Sequence, residues 1–246
     1  MRIIDMHGHH GTVNSFTMFR GTTNDMIAEM DRHAIELVAI SSHQALYMPH
    51  ANDSTVRAVD ESDKRFAGYW AVNPNYADDF KNDIAGFEKV RNRGFIGFKF
   101  HPSIHDYPLD GENYSPYLEY LNKYGLVLLS HTWGGNICGF MQCEKIAKQY
   151  PDITFILGHS GYHDYERFAC LARDHANVYL DTCAVGSLCG SIETMVRIAG
   201  SEKVLFGTDI PWFDPGYMIG CVEYSRIGDA DKANIFYNNA KRILTI

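Results

Sequence analysis

Eight short, β-rich apolar runs separated by segments of helical character constrain this chain more than any other feature. The runs cover 2–6, 36–41, 66–72, 95–100, 126–130, 153–157, 177–181 and 203–207, and start about every 29 residues. They are almost wholly apolar rather than alternating, as strands covered on both faces must be. The segments between them repeat apolar residues at helical spacing. Residues 24–34 carry Met26, Ile27, Met30 and Ala34 on one face, with Thr22 or Thr23 as a cap. Residues 77–92 carry Phe80, Ile84, Phe87 and Val90 on one stripe. Further helices are expected over 52–65, 114–124, 137–149, 163–175, 189–199 and 230–243. Strand–helix alternation repeated eight times is the pattern of an α/β fold of the parallel (β/α)8 type, the TIM barrel. The alternative is an open doubly wound sheet. It is weakened because His7-Gly8-His9-His10-Gly11, after the first run, is no glycine-rich phosphate loop. The 246 residues suit one such barrel, and no linker or low-complexity stretch interrupts them. A single domain over residues 1–246 is expected.

Composition excludes several roles. A net charge of -8 lacks the basic footprint of a nucleic-acid-binding protein. The six cysteines form no Cys-x-x-Cys pair, so a reduced, cytoplasmic setting is expected. Cys183 and Cys189 read as small core residues rather than nucleophiles, since no motif surrounds them. The N-terminus opens directly into the first strand without a secretory pattern, and no apolar run approaches the roughly 20 residues a membrane span needs.

In a barrel of this kind, reactive residues sit at the C-terminal ends of the strands. The first run ends in His7 and His9, whose i, i+2 spacing points both imidazoles to one side of an extended backbone. The fourth gives Lys99 and His101, the fifth His131, the sixth His159, the seventh Asp181 and the eighth Asp209. Five of the twelve histidines thus fall just past strands one, four, five and six. Several imidazoles and a carboxylate converging at one barrel mouth form a mixed nitrogen and oxygen site. Zn²⁺ suits it best, with Mn²⁺, Fe²⁺ and Co²⁺ as the other candidates.

The same residues carry a family resemblance. His7-x-His9, His131, His159 and Asp209, each after its expected strand, resemble the amidohydrolase superfamily. The motifs GFKFHP, LLSHTW, ILGHSG, VLFGTDIPW and FYNNAKRIL look like its amidohydrolase 2 branch, which includes decarboxylases as well as lactonases. The resemblance spans nearly the whole chain. It implies that His7, His9 and His131 are metal ligands and that Asp209 both binds the metal and accepts a proton. It implies that His159 is a catalytic acid or base, or ligates a second ion. In two-metal relatives a strand-four lysine is carbamylated and bridges the ions. Lys99 stands at that place, and the competing role for it is to bind a substrate carboxylate. One ion is favoured over two. A bland reading of Lys99 and His101 is a structural ion pair with Asp5 or Asp181. Lys99, His101, Arg20 and Trp212 are the expected substrate contacts, and aromatic residues such as Trp133, Tyr162 and Phe213 could wall the pocket.

The leading expectation is a hydrolase of a small, anionic molecule, in which metal-activated water attacks an ester, lactone or amide carbonyl. The alternative is a metal-dependent lyase, a non-oxidative decarboxylase or hydratase of an unsaturated or aromatic carboxylic acid. A non-catalytic metal-binding protein is the third class. The partner is a small-molecule substrate, with neither nucleic acid nor membrane; a homodimer is an expectation from the resemblance alone.

Overall fold

The computed structural model describes residues 2–11, 21–48 and 51–245. Eight strands, β1 (Ile3–His10), β2 (Ile35–Ser42), β3 (Phe66–Val72), β4 (Phe95–Phe100), β5 (Val127–His131), β6 (Thr154–Gly158), β7 (Val178–Asp181) and β8 (Val204–Leu205), pair in parallel in chain order. The chain that follows the short β8 closes the ring. Met6 N–H donates to Phe206 O at 2.9 Å, and His9 N–H donates to Ile210 O at 2.7 Å. The expected (β/α)8 TIM barrel is therefore the observed fold, and each strand begins within one residue of the expected start.

The sheet separates two apolar layers. Ile3, Val38, Phe98, Phe100, Phe155 and Leu157 pack outward against the helices. Ile4, Met6, Ala39, Tyr69, Leu129, Ile156 and Leu205 fill the barrel. Tyr237, Ala240, Ile243 and Leu244 from the C-terminal helical segment join this inner layer beside Leu37, Ile96 and Tyr179. Those three residues lie near the strand starts, so the C-terminal segment plugs that end and leaves the opposite end for chemistry.

Local differences from expectation have physical causes. β1 runs on through His10 because β2 pairs with it as far as Ser42. A register slip between Asp5 and Gly8 keeps Ile4 and Met6 in the barrel and still turns His7 and His9 inward. Gly8 faces the other way, where a Cβ would stand 2.6 Å from Val38 Cγ1. The 230–243 helix is instead Asp229–Ala233, a π turn over Asn234–Asn238, and Asn239–Leu244. An additional helix, Pro215–Glu223, follows β8. Asp214 caps it, accepting from Gly216 N–H at 2.7 Å, and proline takes the first helical position. Thr22, not Thr23, caps the first helix, Thr23–Arg32. Cys183 is buried as expected, whereas Cys189 is exposed. No helix among the described residues is long and apolar enough to cross a membrane.

Candidate metal centre

The inward turn of β1 places two imidazoles at the mouth, and each is oriented through Nδ1. His7 Nδ1 lies 2.7 Å from Asp181 Oδ2, and both side chains are fully buried. His9 Nδ1 lies 3.2 Å from both the carbonyl oxygen and Oγ of Ser41, at the end of β2. With Nδ1 engaged, Nε2 of both rings points at one carboxylate oxygen. Asp209 Oδ1 is 3.5 Å from His7 Nε2 and 3.1 Å from His9 Nε2. Ligand atoms of His7, His9 and Asp209 all lie within 4.8 Å of one another, an arrangement that could hold a metal ion. His7, His159 and Cys183 form a second triad by the same measure.

The chain holds two of these residues in costly backbone conformations. His159 has φ 67° and Asp209 φ 66°, left-handed values that side chains other than glycine adopt at a cost of about 1–3 kcal/mol. Hydrogen bonds from the neighbouring strand secure each. The His159 N–H donates to Asp181 Oδ1 at 2.7 Å, and the Asp209 N–H donates to His7 O at 2.7 Å.

Burial governs the electrostatics. It drives the imidazoles of His7, His101 and His131 well below their ordinary range, and that of His159 to about 4. All four are therefore neutral near pH 7, the form that ligates metals. Burial alone would raise the Asp209 carboxyl, but His7, His9 and His159 outweigh it and hold the group well below its usual value. Burial lowers the Lys99 amine to about 8, against the opposing pull of Asp209 and Asp181.

The outward packing of Phe98 on Phe87 (4.8 Å) and of Phe100 on Tyr114 (4.2 Å) turns Lys99 inward. Its side chain is wholly buried, and Nζ lies 2.9 Å from His7 Nε2. The contact is thus to the histidine, not to Asp5 or Asp181. Asp5 instead accepts from Thr208 Oγ1 at 2.5 Å and from His7 N–H at 2.9 Å. His131 stands in the neighbourhood but outside the first triad. Its ring stacks on His101 at 4.0 Å and meets the edge of His159 at 4.6 Å, while Nε2 donates to Trp133 O. His101 Nδ1 caps the short helix Pro102–His105 by accepting from Ile104 N–H at 3.3 Å. Trp212 stacks on His43, which in turn stacks on His9, and Trp212 Nε1–H donates to His43 Nε2. Trp133 stacks on Tyr162 at 4.0 Å beside His159. Arg20 lies outside the described residues.

One observation tests whether these residues fit a metal. Among the described residues, the two buried side-chain polar atoms without a hydrogen-bond partner are His131 Nδ1 and His159 Nδ1. An unpaired buried nitrogen costs about 1–3 kcal/mol. Both orphans occur at this mouth, beside three converging ligand atoms, so the donor set fits a divalent cation. Sequence reasoning missed the contributions of Ser41 and His43, because the end of strand two was not read for chemistry, and it took Cys183 for a core residue only. The Ser41-Ser42-His43 run immediately after an apolar strand was the available signal.

The family model described as amidohydrolase, of the amidohydrolase 2 type, matches residues 4–246. The chain belongs to the amidohydrolase family. No curated protein sequence matches this amidohydrolase. Among solved structures it is similar to a TIM-barrel protein from Bordetella bronchiseptica (16% identity, 100% of this chain and 99% of that one, TM-score 0.80). It is similar to 5-carboxyvanillate decarboxylase from Sphingomonas paucimobilis (16% identity, 100% and 99% covered, TM-score 0.74). A third is dihydroxybenzoic acid decarboxylase from Polaromonas sp. JS666, with bound manganese and the inhibitor 2-nitroresorcinol (17% identity, 99% and 96% covered, TM-score 0.72). At these identities the likeness carries the fold.

Proposed function

We propose that this amidohydrolase is a metal-dependent lyase that removes CO₂ without oxidation from an aromatic or unsaturated carboxylic acid. The observation that carries the metal half of this reading is the convergence of His7 Nε2, His9 Nε2 and Asp209 Oδ1 beside two unpartnered imidazole nitrogens. The lyase half is supported by the family match and by structural neighbours that are themselves decarboxylases, one of them holding manganese. It takes precedence over the hydrolase expectation because the solved neighbours named for a reaction are decarboxylases.

His7, His9 and Asp209 would hold the ion, with His131 Nδ1 as the further nitrogen. Zn²⁺ and Mn²⁺ are the first ions to test: the donor set suits either, and the manganese of a neighbour favours the second. When bound, a divalent ion neutralises and draws electron density from substrate oxygens. The remaining work falls to the chain. The buried Lys99 amine supplies positive charge for the substrate's anionic group. The Trp133–Tyr162 stack offers a flat wall for an unsaturated acid and shields it from water. As the C–C bond to the carboxylate breaks, CO₂ leaves and the electron pair stays on carbon. That carbon takes a proton in place of CO₂; the neutral His159 imidazole would take it up from solvent water and hand it on. The partner is a small molecule, and one bound ion is preferred over a carbamylated Lys99 bridging two.

The metal-loaded protein should be incubated with hydroxybenzoates and muconate-type acids in parallel with lactones and esters. Release of CO₂ from acids, with the lactones untouched, is the expected result. Turnover of lactones or esters with no CO₂ from any acid would return the protein to the hydrolase class.

A further inference from the structure

Asp181 ends β7, and its two carboxylate oxygens face two different donors. Oδ2 lies 2.7 Å from His7 Nδ1, and Oδ1 accepts the His159 N–H at 2.7 Å. The same residue's main chain is closed into a reciprocal pair with Ser160: Asp181 N–H donates to Ser160 Oγ at 3.0 Å, and Ser160 Oγ–H donates to Asp181 O at 2.7 Å. These contacts grip both ends of the left-handed turn at His159 and Ser160 (φ 67° and 48°). Two glycines make room for the arrangement. A Cβ at Gly207 would stand 3.0 Å from His7 Cβ and 3.2 Å from Asp181 Oδ2, and one at Gly158 would stand 3.0 Å from His7 Cε1.

Lys99 reports on the proton arrangement from the far side of the ring. Its Nζ lies 2.9 Å from His7 Nε2. An amine at that place can donate to the Nε2 lone pair, an arrangement that goes with the ring proton on Nδ1, facing Asp181. A carboxylate beyond Nδ1 holds the ring in the orientation and tautomer that leave Nε2 free to ligate.

We propose that Asp181 is a positioning residue that aligns both halves of the centre with one carboxylate. Through Oδ2 it fixes His7 in the Nδ1–H tautomer with Nε2 aimed at Asp209. Through Oδ1 it pins the strained turn that presents the His159 imidazole. This rests on the metal reading above. The chemistry needs an acceptor at both ends, which separates a carboxylate from its amide isostere. In Asp181→Asn one end becomes NH₂. The His159 main-chain N–H cannot relocate its proton, whereas an imidazole can. The amide oxygen therefore stays on His159, its NH₂ donates to His7 Nδ1, and the ring proton moves to Nε2, closing that atom to a metal.

Two measurements test this. The first uses no metal. In protein labelled with ¹⁵N at histidine, long-range ¹H–¹⁵N spectra near neutral pH distinguish the ring tautomers, with His7 assigned by the loss of its signals in His7→Gln. The wild type should show His7 protonated at Nδ1, and Asp181→Asn should show it at Nε2. A wild-type His7 protonated at Nε2 overturns the proposal whether or not the variant folds. The second is calorimetric titration with Mn²⁺. Asp181→Asn should bind about 10–100-fold more weakly than the wild type; affinity within twofold overturns the proposal. Wild-type protein that binds no Mn²⁺ or Zn²⁺ sinks the metal reading instead, and the tautomer result then decides the role of Asp181 by itself.

Discussion

Lys99 concentrates the chemistry of this protein in one residue. A fully buried amine would ordinarily be excluded from a barrel core, and here it touches the lone pair of a candidate ligand and lies in the field of two carboxylates. Under the proposed function its value lies in binding the substrate rather than in holding the fold. Replacing it with methionine, of similar shape, removes a buried charge at little cost, because exchanging buried ionic groups for well-packed apolar ones is often neutral or stabilising. Lys99→Met should keep or slightly raise the melting temperature while raising KM for the acid substrate by tenfold or more, an estimate of about 1.5–3 kcal/mol for a hydrogen bond to a charged group. Steady-state kinetics and thermal unfolding on the same preparation check both halves. A variant that melts far lower with KM unchanged would make Lys99 a structural residue. His131 teaches a different lesson at this scale: its place on strand five was legible, but its ring leans on His101 and leaves Nδ1 unpartnered instead of joining the His7, His9 and Asp209 cluster directly.

Between elements, close approach decides what the strands tolerate. β4 crosses β5 so tightly at Gly97 that an added Cβ would stand 1.8 Å from Val127 O, which is backbone and cannot swing aside. Gly97→Ala should therefore destabilise by about 1–3 kcal/mol or more, read as a shift in denaturation midpoint at constant slope. An unchanged midpoint would mean that the sheet flexes more readily than its packing implies. His105 links two of the mouth helices. One ring nitrogen lies 2.7 Å from Leu46 O and the other 3.3 Å from the Tyr114 hydroxyl. Burial lowers its pKa, against a smaller opposing pull from Leu46. The sign follows: the unfolded chain binds the proton more readily, so stability is full above the unfolded value near 6.5 and is lost as pH falls through it toward the folded value. Melting temperature should drop between pH 7 and pH 5, and His105→Gln should shrink that drop. An equal drop in the variant assigns the acid sensitivity to other histidines.

At the scale of the whole molecule, the barrel brings β1, β7 and the segment after β8 to one point, and a cation there would cross-link parts of the chain two hundred residues apart. An ion that binds the folded state alone stabilises by about 2.7 kcal/mol at a hundredfold excess over Kd, roughly 5–11 °C in melting temperature for a chain of this size. Saturating Mn²⁺ or Zn²⁺ should raise the melting temperature by that order and a chelator should reverse it; no shift with either ion would argue against a metal centre. The fold itself was legible in the linear chain, because a strand buried on both faces reads as an apolar run and eight such runs admit few closed arrangements. So were His7, His9, Lys99, His131, His159 and Asp209, because the fold puts the C-terminal end of every parallel strand at the same mouth. What only the tertiary structure decided is how those groups face one another. The register slip that turns His7 inward, the left-handed backbone at His159 and Asp209, and the Asp181 carboxylate joining His7 to His159 all depend on contacts between strands far apart in sequence. Local propensity opposes two of them: a histidine or an aspartate prefers negative φ, and only hydrogen bonds supplied by the closed barrel hold them otherwise.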